Sequence, residues 1–148
     1  MKKLLLIILI SISLESFAQY DISFSAYSSL EFSKGIELRG EFEDWYIAFQ
    51  AENFIKDEDY FFNWGGSVGM LKRTYNFDYT GGIRVGFMVI DGESKPLFGL
   101  ESEIDYKINE SVFIGVRATY DKYFDSPNVE TPTSKQMLRG FVKIGYKF

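Results

Sequence analysis

Apolar and polar residues alternate along most of the chain from about Tyr20 onward. At the C-terminal end Leu138, Val142, Ile144, Tyr146 and Phe148 hold one phase, with Gly140 among them, and Arg139, Lys143 and Lys147 hold the other. The same period recurs upstream. Ile22, Phe24 and Ala26 alternate with Asp21, Ser23 and Ser25; Ile36, Leu38, Gly40 and Phe42 with Glu37, Arg39 and Glu41. Trp45, Ile47, Phe49 and Ala51 alternate with Tyr46, Ala48, Gln50 and Glu52. Tyr60, Phe62, Trp64, Val68 and Met70 alternate with Asn63, Gly65, Ser67 and Gly69; Phe77, Tyr79, Ile83, Val85, Phe87 and Val89 with Thr80, Gly82, Arg84 and Gly86. Phe98, Leu100, Ile104 and Tyr106 alternate with Glu101, Glu103 and Asp105; Val112, Ile114, Val116, Ala118 and Tyr120 with Gly115, Arg117, Thr119 and Asp121. A period of two is the signature of a strand whose faces meet unlike surroundings. The pattern predicts eight antiparallel strands in up-and-down order.

The joints keep these phases. Two-residue turns at Glu43-Asp44 and Tyr75-Asn76 pair Phe42 with Trp45 and Thr74 with Phe77. A three-residue turn at Asn109-Glu110-Ser111 pairs Ile108 with Val112. A slip of one residue at any of them would turn the next strand inside out. These tight turns alternate with connections at Ile55–Asp59, Asp91–Lys95 and Phe124–Lys135. The tight set shares its side with both chain ends and is expected to be periplasmic, the other set extracellular. Between Ile22 and Phe42 the phase runs without a break, a length that would rise ~70 Å as one strand. A turn must interrupt it, at Ser28-Ser29-Leu30 or Ser33-Lys34-Gly35; the first leaves two strands long enough to span.

Alternation alone does not say which face is inside. A soluble periplasmic barrel binding an apolar ligand has the same period. Three features favour an apolar outside. The apolar phase carries no charge in mid-strand. Its aromatics collect at strand ends, with Trp45, Phe77, Tyr79, Tyr106, Tyr146 and Phe148 at the tight-turn end and Tyr60, Phe62, Phe98 and Tyr120 at the other. Two such belts are what amphipathic rings form at two membrane interfaces. The polar phase, finally, pairs opposite charges: Glu37, Arg39, Glu41, Arg84, Glu101, Glu103, Asp105, Arg117, Arg139 and Lys143. Eight strands close round a space that side chains can just fill, and charge buried there must be paired. A carboxylate–arginine network inside the barrel is therefore expected; a solvated charged face is the plainer alternative.

The N-terminus changes the picture from a sheet to an exported one. Lys2 and Lys3 precede an apolar run from Leu4 to Leu14 broken only by Ser11 and Ser13, and Ser16-Phe17-Ala18 offers a cleavage site. The run is shorter than the ~20 residues of a spanning helix and reads as a secretory signal peptide over residues 1–18. The barrel domain is then expected over residues 19–148, starting at Gln19. That portion has 14 basic and 20 acidic residues, a net of −6, which argues against nucleic acid as a partner. There is no cysteine, hence no disulfide, and the three prolines suit a chain that is mostly ladder-bonded.

With the signal peptide, the alternating Val142, Ile144, Tyr146 and terminal Phe148 resemble the C-terminal recognition strand of outer-membrane barrels. The exported portion as a whole resembles a small eight-stranded outer-membrane barrel of the OmpA/OmpX type. The resemblance implies an outer-membrane location in a Gram-negative envelope, contact with membrane lipid and lipopolysaccharide, and insertion by the barrel-assembly machinery. It is architectural and matches no single family motif by motif. The chain ends at the barrel, without the peptidoglycan-binding domain of OmpA proper, and its loops are short.

Catalytic chemistry is sparse. Barrel hydrolases, acyltransferases and proteases of this general fold use a histidine, and this chain has no histidine and no cysteine nucleophile. The carboxylates Glu101, Glu103 and Asp105 read as structure rather than as an acid–base pair. The glycines alternate along strands and form no phosphate loop. No catalytic residue, cofactor or dedicated metal site is expected. Lys56-Asp57-Glu58-Asp59 could hold a divalent cation bridging lipopolysaccharide phosphates, or be an ordinary solvated tip. The Phe124–Ser134 connection, with Pro127 and Pro132, is the expected contact surface for an extracellular partner. The reading is a non-enzymatic outer-membrane barrel with a structural or surface-interaction role; a narrow pore for water or small ions is the alternative.

Overall fold

The computed structural model describes residues 21–29, 33–56, 59–90, 92–124 and 134–148, with the side chains of 54–56, 59, 60, 90, 134 and 135 left aside. The strands are β1 (Asp21–Ser29), β2 (Lys34–Phe42), β3 (Trp45–Lys56), β4 (Asp59–Arg73), β5 (Phe77–Ile90), β6 (Glu93–Lys107), β7 (Val112–Phe124) and β8 (Ser134–Lys147). Each pairs antiparallel with the next, and β8 pairs with β1 to close the barrel. Closure leaves no sheet edge, so the backbone groups along the wall find partners in their neighbours.

The three tight turns keep the expected registers: Phe42 opposite Trp45, Arg73 opposite Asp78, and the Ile108 amide donating to the Val112 carbonyl at 2.9 Å. The connections at the other end differ from expectation. The β1–β2 ladder runs to Ser28 opposite Lys34, a register between the two expected, so Ser28 of the first expected turn and Lys34 of the second are still paired strand residues. All three placements preserve phase, so alternation could not choose among them. The β3–β4 ladder reaches Lys56 opposite Asp59, and β5–β6 reaches Ile90 opposite Glu93. The expected connections at Ile55–Asp59 and Asp91–Lys95 therefore shrink to two residues each. Backbone pairing continues as far as the turn allows, because each unpaired group costs free energy. At the second of these turns Gly92 takes φ +80°, the left-handed geometry that makes Asp-Gly a hairpin signal. The last connection lies between Phe124 and Ser134, which are paired with each other.

Followed round the wall, the ladder from Ala26 passes Ile36, Ala51, Trp64 and Phe87 to Pro96 and, with the Leu97–Tyr123 register carried one residue further, through Phe124 to Ser134. The β1–β8 register, extended, would set Ser134 ten residues further along β1 than Ala26. That stagger tilts the strands by roughly 40° and decides which inward side chains share a level.

The apolar phase faces out and the polar phase faces in. Val85, Val116 and Ile144 are 54%, 55% and 57% exposed, while Arg39, Glu37 and Lys143 are 1%, 1% and 2% exposed. A soluble barrel with an apolar interior is thereby excluded. Two small apolar clusters do lie inside. Met88, Leu97 and Tyr123, with Phe61 and Met137 against them, sit toward the loop end; Tyr46, Ala48 and Leu71 sit toward the tight-turn end. Glycines make room for inward rings. The Tyr27 ring lies against Gly35, the Phe113 ring against Gly145, and the Tyr46 hydroxyl against Gly82.

Candidate functional site

The charged interior is the candidate site, and it is layered along the barrel axis. In the middle layer β2 supplies Glu37 and Arg39, β6 supplies Glu103 and Asp105, β7 supplies Arg117 and β8 supplies Lys143. Arg39 reaches Glu37 at 2.9 Å, Glu103 at 2.7 Å and Asp105 at 3.5 Å. Arg117 pairs with Glu37 and, through Nε, with Glu103 at 2.6 Å. Lys143 pairs with Glu103, with Glu37 at 3.2 Å and with Asp105 at 3.5 Å. Three cations thus face three carboxylates from four strands.

One pleat toward the loop end, Arg84 lies 3.5 Å from Glu101 and 3.0 Å from Asp121. Arg139 lies 2.6 Å from Asp121 and pairs with Glu52. Neutral groups stitch the layers together. The Gln50 amide donates to Glu37 and to Glu101, both at 2.9 Å; the Tyr46 hydroxyl donates to Glu101 at 2.5 Å; the Ser33 hydroxyl donates to Glu52 at 2.5 Å. At the tight-turn end a wetter layer joins Glu41 to Lys147 at 2.6 Å and to Arg73 at 3.1 Å, and Asp78 to Lys107 at 2.7 Å. Glu41 belongs to this mouth, two residues along β2 from the Arg39 cluster.

Four of the cations also lie over inward rings: Arg39 over Tyr46 at 4.8 Å, Arg117 over Tyr27 at 4.9 Å, Lys143 over Phe113 at 5.1 Å and Arg139 over Phe141 at 5.3 Å. Each ring supplies a weakly attractive face and apolar bulk that excludes water. Glu52, Asp121, Gln50 and Tyr46 join the network without having been singled out from sequence. Their polar phase was the available signal, and what hid them was the absence of an obvious partner nearby in the chain.

No protein-family model matches the chain, and no curated protein matches it in sequence. Solved structures do match it. Neisserial surface protein A is 15% identical with a TM-score of 0.58, covering 86% of this chain and 92% of its own. The Yersinia pestis outer membrane protein Ail, in a phospholipid bilayer nanodisc, is 14% identical with a TM-score of 0.53, covering 87% of this chain and 98% of its own. The fold is that of the small eight-stranded outer-membrane barrels. It is all-β, antiparallel, up-and-down and of the transmembrane type.

On such a barrel the outward aromatics acquire a setting. Phe42 stacks on Trp45 at 3.9 Å across the first tight turn, Phe77 meets Tyr106 at 5.3 Å, and Tyr146 meets Phe148 at 5.1 Å. With Tyr79 these rings ring the tight-turn end. Phe62, Phe98 and Tyr120 face outward toward the loop end, as do Trp64, Phe87 and Phe124. The Tyr60 side chain lies outside the described residues, as do Asp57 and Glu58 of the acidic tip. Val142, Ile144, Tyr146 and Phe148 present one outward row on β8. A concavity of about 540 Å³ lies on the outside, lined by Leu38, Phe49, Gly66, Val68 and Val85 among others. It is almost wholly apolar and lies across the wall from the charges.

Proposed function

We propose that this chain is a non-enzymatic, non-conducting outer-membrane barrel of a Gram-negative envelope, with a structural or surface-interaction role. The observation that carries the reading is the filled interior. Ion pairs from six strands interlock across the lumen, and an apolar layer of Met88, Leu97 and Tyr123 lies over them. A conducting path would have to break several of these pairs at once, at a cost of several kcal/mol each. Beside Gly82 of β5 the Tyr46 hydroxyl occupies the space that the missing side chain leaves.

The wider reading rests on the same architecture. Residues 1–18 would direct export and be removed. Val142, Ile144, Tyr146 and Phe148 would be read by the barrel-assembly machinery. The outward aromatics would sit at the two interfaces, among membrane lipid and lipopolysaccharide. The Phe124–Ser134 connection would meet an extracellular partner. The neighbouring Neisserial protein is named for the surface, which suits this role.

Two measurements test it. The protein should fractionate with outer membranes and migrate differently on gels before and after boiling in detergent. Reconstituted in planar bilayers, it should show no unitary conductance. Steady conductance abolished by changes at Arg84 or Arg117 would favour the pore instead. Deletion of residues 125–133 should remove surface binding, wherever such binding is detected, and leave the gel shift intact.

A further inference from the structure

The outer wall is not evenly covered. The concavity of about 540 Å³ reaches from β2 to β5, with Leu38, Gly40, Ile47, Phe49, Gly66 and Val68 in its lining. Toward the tight turns it is prolonged. The outward register pairs of β4 and β5 run Gly66–Val85, Val68–Ile83, Met70–Gly81 and Lys72–Tyr79. Gly81 leaves the space beside Met70 open, since a Cβ there would meet nothing nearer than the Glu101 carbonyl oxygen at 3.8 Å. On the other side of Met70 stands its β3 partner Trp45, stacked on Phe42.

This furrow ends at a cation. Lys72 is exposed, shares the outward phase of Val68 and Met70, and makes no ion pair among the described residues, the turn acids Glu43 and Asp44 included. Arg73, Lys107 and Lys147 at the same end turn inward onto Glu41 and Asp78. Lys72 lies six residues beyond Gly66 on β4. Six residues rise ~20 Å along a strand, and a tilt of roughly 40° makes that ~15 Å of depth. The hydrocarbon core of a bilayer is ~30 Å thick, so the furrow is one leaflet deep.

We propose that the furrow seats one acyl chain of an anionic glycerophospholipid from the leaflet on the tight-turn side, its phosphate held by the Lys72 ammonium and the neighbouring Tyr79 hydroxyl. The inference rests on the membrane reading above. At hydrocarbon depth an occupant must be apolar, and the wall there is apolar. At the interface the unpaired ammonium selects a negative headgroup, and the phenol beside it is an apolar ring with a donor at its tip. The exported portion is net negative and repels anionic lipid in general, so a preference for such lipid would report this one site.

The test reads Trp45, at the foot of the furrow, in a Trp64→Phe chain where it is the one tryptophan. The barrel is refolded into phosphatidylcholine vesicles with a share of lipid brominated midway along its acyl chains, either phosphatidylglycerol or phosphatidylcholine. Bromine quenches the rings it touches. Brominated phosphatidylglycerol should quench Trp45 at about one fifth of the mole fraction that brominated phosphatidylcholine needs, the fivefold preference that corresponds to about 1 kcal/mol from one lysine. Lys72→Gln should remove the preference. So should Gly40→Leu, which fills the concavity, and Gly81→Leu, which blocks the passage to Lys72; an added Cβ at either glycine meets nothing nearer than 3.7 Å. Equal quenching by the two lipids would overturn the site and leave the membrane reading intact, as would a preference that survives in any of the three variants. Quenching by neither lipid would overturn it as well. With the heat-sensitive gel band retained, a second copy covers the face; with that band lost, the membrane reading itself fails.

Discussion

Arg117 tests the interior network most directly. Its guanidinium spans Glu37 and Glu103 and lies over the Tyr27 ring, with both carboxylates 1–2% exposed. Arg117→Met keeps much of the side-chain bulk and removes the charge. The middle layer is then left with Arg39 and Lys143 against Glu37, Glu103 and Asp105. Breaking a buried pair by deleting one partner costs about 3–5 kcal/mol, because the carboxylate left behind is still desolvated. Arg39 and Lys143 already contact both Glu37 and Glu103 and so compensate in part, which places the expected loss at about 3 kcal/mol. The assay is urea unfolding of the barrel in lipid vesicles, read by the heat-sensitive gel shift and by tryptophan fluorescence. The midpoint should fall with little change in slope. Adding Glu103→Gln to the same chain restores the three-to-three logic as two to two. The double variant should recover at least about 1 kcal/mol relative to the sum of the single losses, as contacting residues do in such cycles. A loss below about 1 kcal/mol for Arg117→Met, with strict additivity in the cycle, would refute a desolvated network and point to a hydrated lumen.

Three further outcomes follow from the same geometry. Val116→Arg, in the middle of the outward face, should destabilise the barrel in lipid by about 2–4 kcal/mol, and the vesicle unfolding midpoint reads it. Tyr46→Phe deletes the donor to Glu101 and should cost about 1.5–3 kcal/mol in the same assay. Gly145→Val would drive a branched side chain into the Phe113 ring, so the fraction acquiring the folded gel band in vesicles should drop, with a stability loss of about 1–3 kcal/mol in what does fold.

The strands were legible because one variable decides them. In a wall with unlike sides the side chain's phase is its environment, and Ile22 to Phe148 keep that phase through every tight turn. The turn between β1 and β2 was not legible, because the observed register and both expected ones conserve it. The loop-end hairpins were read as too long because polar residues such as Asp59 and Glu93 look like loop, although their backbones still pair. Phe113 and Phe141 broke the pattern. They are aromatic residues in the polar phase, and only the packed lumen explains them, as platforms under Lys143 and Arg139.

Sequence alone determined the alternation, the number of strands and the pairing of neighbours, since these depend on contacts a few residues apart across a turn. It also placed opposite charges in the polar phase. Which charge meets which was decided by closure. Glu37 meets Arg117 from 80 residues away and Lys143 from 106, and neither contact exists until β8 docks on β1 with its ten-residue stagger. Local periodicity fixes the direction a side chain points, but only the circumference and tilt of the closed wall fix what stands opposite.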